Sequence, residues 1–284
     1  MLKTYYHLTK PGIVYGNAIA AIAGFFLAER GQFDLQVFIG MLIGTCLIIA
    51  SACVFNNYID RDIDKRMERT KKRALVAKTI SIRNALIYGT VLGIIGFVIL
   101  TIFTNFLTVF LGFIGFLFYI VIYGIGKRSS IHGTLIGSIS GSIPLVAGYT
   151  AITNRFDTGA LLLFLILAIW QMPHFYAIAL YRLKDYTEAS LPVMPVIKGK
   201  KNTQIQIIYY IIAFLISTSL LTFFHYTGYT YLILMILISL YWLYLSFKGF
   251  TNKDTTKWAK GVFRFSLIVL LVFCFLLTIN ALLP

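Results

Sequence analysis

The densest run of polar oxygen in this 284-residue chain is Asn56-Asn57-Tyr58-Ile59-Asp60-Arg61-Asp62-Ile63-Asp64. If a helix continues through it, residues four apart are turned only ~40° from one another and climb ~6 Å per step. Asn56, Asp60 and Asp64 then form one stripe, and Asp62 points roughly the other way as a solvated surface acid. Oxygen ligands without His or Cys suit magnesium, which takes one or two carboxylates together with phosphate oxygens and water. The chemistry implied is metal-assisted handling of a diphosphate. A solvated, charged helix end is the plainer alternative, and the i, i+4, i+8 spacing argues against it.

Bases follow five residues later, in Arg69-Thr70-Lys71-Lys72-Arg73. Arg69, Lys72 and Arg73 are candidates to bind a polyanion bridged to the carboxylates by metal. Lys71 and Lys72 read equally well as residues that only fix membrane orientation, which is also the reading for Lys78 and Arg83. In the run from Tyr123 to His132, Tyr123 and Lys127 are four apart, so a hydroxyl and an ammonium can meet one phosphate. A further patch, Trp170-Gln171-Met172-Pro173-His174, lies in an apolar run that Pro173 is expected to kink. His174 is about six residues, hence ~9 Å, from the end of that run, and reads either as a ligand or as a packing residue. His132 is its rival as a ligand. Tyr181, Lys184 and Asp185 stand just beyond.

These residues must be held by a membrane protein. Hydrophobic residues make up 59% of the chain and charged ones 12%, more apolar surface than a water-soluble fold carries. Apolar runs of about 20 residues, long enough to cross ~30 Å of hydrocarbon as helix, fall at 11–28, 36–56, 84–103, 106–126, 134–152, 160–180, 204–223, 229–247 and 262–282. The expected fold is all-α and polytopic, with about nine transmembrane helices forming a single domain over 1–284. Only Thr104-Asn105 separates the third run from the fourth, so one long re-entrant hairpin is the alternative there. Lys3 and Lys10 ahead of an apolar stretch resemble a signal peptide, but the apolar run continues past any cleavage site.

The net charge of +15 raises nucleic acid as a partner, and its distribution argues against it. Of the 25 Lys and Arg residues only Arg30 and Arg155 fall in the alternate set of loops. By the positive-inside rule, the amino terminus and the two long loops, 57–83 and 181–203, are cytoplasmic and the carboxyl terminus lies outside. Four spans separate those loops, so they emerge on one face, as from two parallel four-helix repeats. Thr9 before Pro11 suits an N-cap for the first span. Gly133, Gly137 and Gly141 read as a packing seam. Cys46, Cys53 and Cys274 form no metal or disulfide pattern.

The stripe, with Met67, Arg69-Thr70 and Arg73, the Trp170-Gln171-Met172-Pro173-His174 run, Asp185-Tyr186, Pro192-Val193-Met194-Pro195-Val196 and the opening Thr9-Lys10-Pro11-Gly12, closely resembles the protoheme IX farnesyltransferases. These are the heme O synthases of the UbiA-type intramembrane prenyltransferase superfamily. The similarity runs from about residue 8 to 270. The acidic motif alone would indicate only the wider superfamily. The second loop narrows it, because Tyr181-Arg182-Leu183-Lys184-Asp185 retains one acid where many relatives carry an aspartate-rich motif.

The resemblance implies helices around a central cavity, farnesyl diphosphate and protoheme IX as substrates, Mg2+ as cofactor, and heme O plus diphosphate as products. Water is taken up at the vinyl carbon. Taken with the residues read above, the expected metal ligands are Asn56, Asp60, Asp64 and Asp185, and the expected diphosphate-binding residues are Arg69, Lys72, Arg73, Lys127 and Lys184. Tyr123 and Tyr181 join the acids as catalytic candidates, and His174 and His132 are candidate heme ligands. The lipid bilayer is the remaining partner, with heme A synthase or oxidase assembly as a further contact. Three other readings compete: a prenyltransferase for a quinone precursor, which predicts a second aspartate pair; a transporter for an anionic metabolite; and a membrane protein without catalysis.

Overall fold

Backbone N–H and C=O groups in hydrocarbon have to be satisfied within the chain, which restricts an open chain to helix. The computed structural model describes residues 2–29, 31, 33–252 and 254–283, and among these no strand occurs. Among the described residues, nine helices are long and apolar enough to cross a membrane: α1 Pro11–Ala28, α2 Leu35–Ile59, α3 Ile82–Phe103, α4 Phe106–Ser129, α5 Gly133–Thr153, α6 Thr158–Tyr181, α7 Gly199–Phe223, α8 Tyr229–Phe250 and α9 Thr255–Thr278. The outward face of α3 shows why they need lipid. Ile87, Val91, Ile94, Val98 and Ile102 follow the helical repeat and all are exposed.

Several boundaries differ from the apolar runs. α7 starts five residues early and α9 seven, because polar turns such as Lys200-Lys201-Asn202 and Thr255–Lys260 continue the helix past its apolar part. α3 and α4 are separate helices rather than one hairpin: the Asn105 side chain accepts from the Thr108 N–H at 3.0 Å and donates to the Thr150 carbonyl at 2.7 Å. Thr9 does not cap α1. Its hydroxyl donates to the Tyr6 carbonyl at 2.7 Å, closing a short helix Leu2–Leu8, and the residue ahead of Pro11 is Lys10 in the left-handed region at φ 51°. α6 runs as one helix with Pro173 inside it.

α1 packs on α2, α5 and α9, while α5 also meets α4 and α6; α2 pairs with α3, and α7 with α6 and α8. The two halves meet at a reciprocal crossing. A Cβ on Gly24 would collide with the Leu145 carbonyl, and one on Gly148 with the Ala21 carbonyl. Each glycine abuts the residue three positions before the other, a pairing compatible with the two parallel repeats expected from the sequence.

Both long loops lie on the same face and touch. Ile63 and Met67 of the first form an apolar cluster with Ala189 and Leu191 of the second, joined by Tyr186 and Val193. Leu8 of the short amino-terminal helix is buried with Val54, Leu75, Ile80 and Ala85. The first loop is therefore held from both sides. Arg30, whose side was expected to be opposite, lies outside the described residues.

Candidate functional site

α2 ends at Ile59, but its backbone pattern continues through the acidic run. The Asp60 N–H donates to the Asn56 carbonyl at 2.9 Å and the Asp64 N–H to the Asp60 carbonyl at 2.8 Å. The stripe is real: Asn56, Asp60 and Asp64 are 3%, 7% and 4% exposed, whereas the Asp62 side chain is 58% exposed.

Each stripe residue meets a cation from a different part of the chain. Lys10 donates to Asn56 Oδ1, and Lys127 forms a buried ion pair with Asp60. Arg73 Nη1 contacts both oxygens of Asp64 at 2.9 and 2.7 Å, while the Thr70 hydroxyl donates to the Asp64 carbonyl at 3.0 Å. Burial pushes the Lys10 ammonium down to about 8; Cys53 and Asp60 oppose the shift, and Arg73 and Lys127 add to it. Asp62 is exposed as expected but not alone. Arg128 holds it with bonds of 2.6 and 2.8 Å, which keeps its carboxyl down at about 2, and also reaches the Ile59 carbonyl at 2.7 Å.

α4 delivers Lys127 through a local irregularity. Residues Phe118–Ile122 form a π-helical turn, a wider turn that often occurs at functional sites. Tyr119 and Tyr123 stack at 5.8 Å, and the Lys127 ammonium sits 4.9 Å from the Tyr123 ring centre. The glycine seam on α5 is what seats them: a Cβ on Gly137 would lie 2.9 Å from the Tyr123 ring, and one on Gly133 2.8 Å from Lys127 Cα.

The second loop contributes Asp185, buried, with Arg182 Nη1 3.8 Å away and Tyr181 5.4 Å from the Arg182 guanidinium. Burial raises the Tyr186 phenol, and the Arg69 guanidinium of the first loop opposes that shift. Lys184 departs from expectation. Its side chain is 89% exposed and faces Glu188 at 3.8 Å, because a six-residue helix, Leu183–Glu188, turns it away from the buried side that carries Asp185. Lys72 is also exposed, and Lys71 pairs with Glu68 at 2.6 Å.

The histidines lie apart from the stripe's ion pairs. His174 Nδ1 is 2.7 Å from the Ser266 hydroxyl of α9, and its ring stacks on Trp170 at 4.6 Å beside Phe263 at 5.0 Å. Trp170 Nε1 donates to the Ser266 carbonyl at 3.0 Å, so both rings tie α6 to α9. His132 is exposed just ahead of α5.

Among the described residues, five polar atoms here are buried without a hydrogen-bond partner: Asp60 Oδ1, Asp185 Oδ2, Asn56 Nδ2, Asn57 Oδ1 and Arg182 Nε. Leaving such atoms unpaired costs roughly 1–3 kcal/mol each. Asp60 Oδ1 and Asp185 Oδ2, on two loops that touch, face arginine guanidinium groups at 3.6 and 3.8 Å without hydrogen-bonding them, and hard oxygen donors of this kind fit a divalent cation shared with an anionic ligand. Among the described residues, no group of three or more His, Cys, Asp or Glu side chains forms a ready-made metal cage. A metal would therefore need ligand oxygens to complete its shell.

Sequence reasoning missed Lys10, Tyr119 and Arg182. Lys10 carried a faint signal, since the position before a proline disfavours the right-handed helical region. Nothing in the pattern indicates that its side chain turns onto Asn56.

The model of the UbiA prenyltransferase family matches residues 17–278. A protein from Yersinia pseudotuberculosis serotype O:1b, named protoheme IX farnesyltransferase, is 48% identical over 271 residues, covering 95% of this chain and 92% of its own. One of the same name from Cronobacter sakazakii is 46% identical over 285 residues, covering 100% and 97%. Among solved structures, digeranylgeranylglyceryl phosphate synthase superposes with a TM-score of 0.79 at 19% identity over 99% of this chain and 98% of its own. A UbiA homolog from Archaeoglobus fulgidus bound to GPP and Mg2+ gives 0.72 at 15%, over 97% and 99%. With a family model spanning nearly all nine helices and near-half identity along the whole length, the chain belongs to the UbiA prenyltransferase family.

Proposed function

We propose that this chain, as one prenyltransferase domain, transfers the farnesyl group of farnesyl diphosphate to a vinyl group of protoheme IX, giving heme O and diphosphate. The observation that carries the reading is the convergence of Lys10, Lys127 and Arg73 on one buried stripe of oxygen donors, in a chain 46–48% identical to protoheme IX farnesyltransferases.

Lys127 and Arg73 neutralise Asp60 and Asp64, while Lys10 donates to the Asn56 amide oxygen. When diphosphate arrives they can exchange those partners for phosphate oxygens, with Arg69 and Arg182 on the flanking loops. Mg2+ held by Asp60 and Asp64, with Asn56, and with Asp185 from the second loop, would neutralise charge on the leaving group. Heterolysis of the allylic C–O bond leaves its electron pair on the diphosphate, where Lys10, Lys127 and Arg73 stabilise it. Apolar helix walls exclude water from the farnesyl cation. The vinyl terminus attacks the farnesyl carbon, and a water then adds to the remaining carbon and loses a proton. Tyr123, Tyr181 and Asp185 are the candidates to direct that water. His174 and His132 remain the candidate heme ligands; the Ser266 contact favours a packing role for His174.

We infer from the basic-residue distribution that the site faces the cytoplasm, with the carboxyl terminus outside. Product would pass to heme A synthase or oxidase assembly. The test is incubation of purified protein with farnesyl diphosphate, heme and magnesium, followed by chromatography and mass analysis. Heme O is the expected product, and its absence in protein shown to be folded refutes the reading.

A further inference from the structure

Outside the acid stripe, a groove of about 590 Å³ runs along the far side of the first loop. It lies between Ile59, where α2 ends, and Ile82, where α3 begins, so it opens at the level where the spanning helices leave the hydrocarbon. Its volume falls within the range of small-molecule sites.

The lining has two characters. Leu75, Val76 and Ile80 give it an apolar floor, while Arg61, Lys65 and Lys78 stand at its rim. The one acid there, Asp62, is already neutralised by Arg128. Among the described residues no carboxylate lies within 4.0 Å of Arg61, Lys65 or Lys78, whereas Lys10, Arg73, Lys127 and Arg128 all have polar partners on the other side of the same loop. Arg61 is braced by the Tyr58 ring at 4.1 Å, and Lys78 is held at φ 57°. Three uncompensated cations over an apolar floor at a membrane boundary match a molecule with an anionic head and hydrocarbon behind it.

We propose that this groove binds an anionic glycerophospholipid, its phosphate at the Arg61, Lys65 and Lys78 rim and its acyl region against Leu75, Val76 and Ile80. The occupant is a bilayer lipid rather than a soluble phosphate, because a soluble anion would leave the apolar floor in water. The site is independent of the reaction proposed above.

Native mass spectrometry of the full chain tests it, comparing retention of phosphatidylglycerol with phosphatidylcholine of identical acyl chains. The native chain should prefer phosphatidylglycerol, and Lys65→Gln with Lys78→Gln should lower that preference by about thirtyfold, the scale expected of two lysines beside an anionic lipid. Lys200→Gln with Lys201→Gln removes the same charge from exposed positions elsewhere and should leave the preference intact. Val76→Trp fills the floor without changing charge and should also reduce retention. Equal effects of the two lysine pairs would reduce the interaction to long-range charge and overturn the proposal. So would unchanged retention in Val76→Trp, or no preference in the native chain.

Discussion

Replacing Asp64 and Asp62 separately by Asn compares two carboxylates two residues apart with opposite surroundings. Asp64 is nearly enclosed, and its Arg73 partner is one-quarter exposed. Breaking a buried ion pair costs ~3–5 kcal/mol. An amide still accepts from Arg73, whose open side retains water, so we expect a stability loss of about 1–2 kcal/mol, short of that full penalty. The catalytic loss should be larger: removing one charge stabiliser from a transition state typically lowers kcat by ~10²–10³. Asp62 and Arg128 form a half-open pair, for which ~0–1 kcal/mol is the expectation and turnover should stay close to native. The assay is heme O formation at saturating farnesyl diphosphate and heme, normalised to folded protein by size exclusion and thermal melting. Equal loss at both positions, or a loss in Asp64→Asn no greater than its loss of folded protein, would refute the division of the run into a buried stripe and an outer acid.

Lys10 sits at about 8 when folded against 10.5 in an open chain, so between those values the unfolded state binds more protons and stability should rise with pH. The stability gain from pH 8 to 10, about 2 kcal/mol and read as a rise in Tm, should be missing in Lys10→Met, whose affinity for farnesyl diphosphate should also fall. Gly148→Val drives a side chain into the Ala21 carbonyl and should cost several kcal/mol, of order 1–3 or more, read as lower yield and Tm; Gly12→Ala, with open space at its Cβ, should be neutral or slightly stabilising. Arg182→Ala should raise KM for farnesyl diphosphate more than Lys184→Ala, because Arg182 flanks Asp185 while Lys184 faces Glu188; the reverse order in steady-state kinetics would restore Lys184 to the site.

The spanning helices were legible because hydrocarbon imposes a length and an apolar composition that few other folds require. The stripe was legible for a similar reason, since helical spacing alone turns Asn56, Asp60 and Asp64 to one side and Asp62 to the other. What pairs with them was not. Lys127 meets Asp60 across a sequence separation of 67, and its approach depends on a π-turn at Phe118–Ile122 that no residue there specifies. Lys10 reaches Asn56 through a left-handed backbone that Thr9 and Pro11 only hint at. Lys184 and Asp185 are adjacent in sequence and look like partners, yet one turn of helix sends one outward and buries the other.

The reciprocal crossing of α1 and α5 bears on how a bulky planar substrate could enter. Main chain rests on main chain at Gly24 and Gly148, so there are no rotamers to change and no side-chain volume to give way. That contact behaves as a fixed spine, and the halves cannot slide past one another there without separating altogether. Entry must be accommodated elsewhere. The first and second loops meet through an apolar cluster of Ile63, Met67, Ala189 and Leu191 with Tyr186 and Val193, and α4 shares little of its surface with the rest of the bundle. The most open edge of the bundle is thus the one that carries Lys127, so the side on which a molecule has least protein to displace is also a side that brings charge to it.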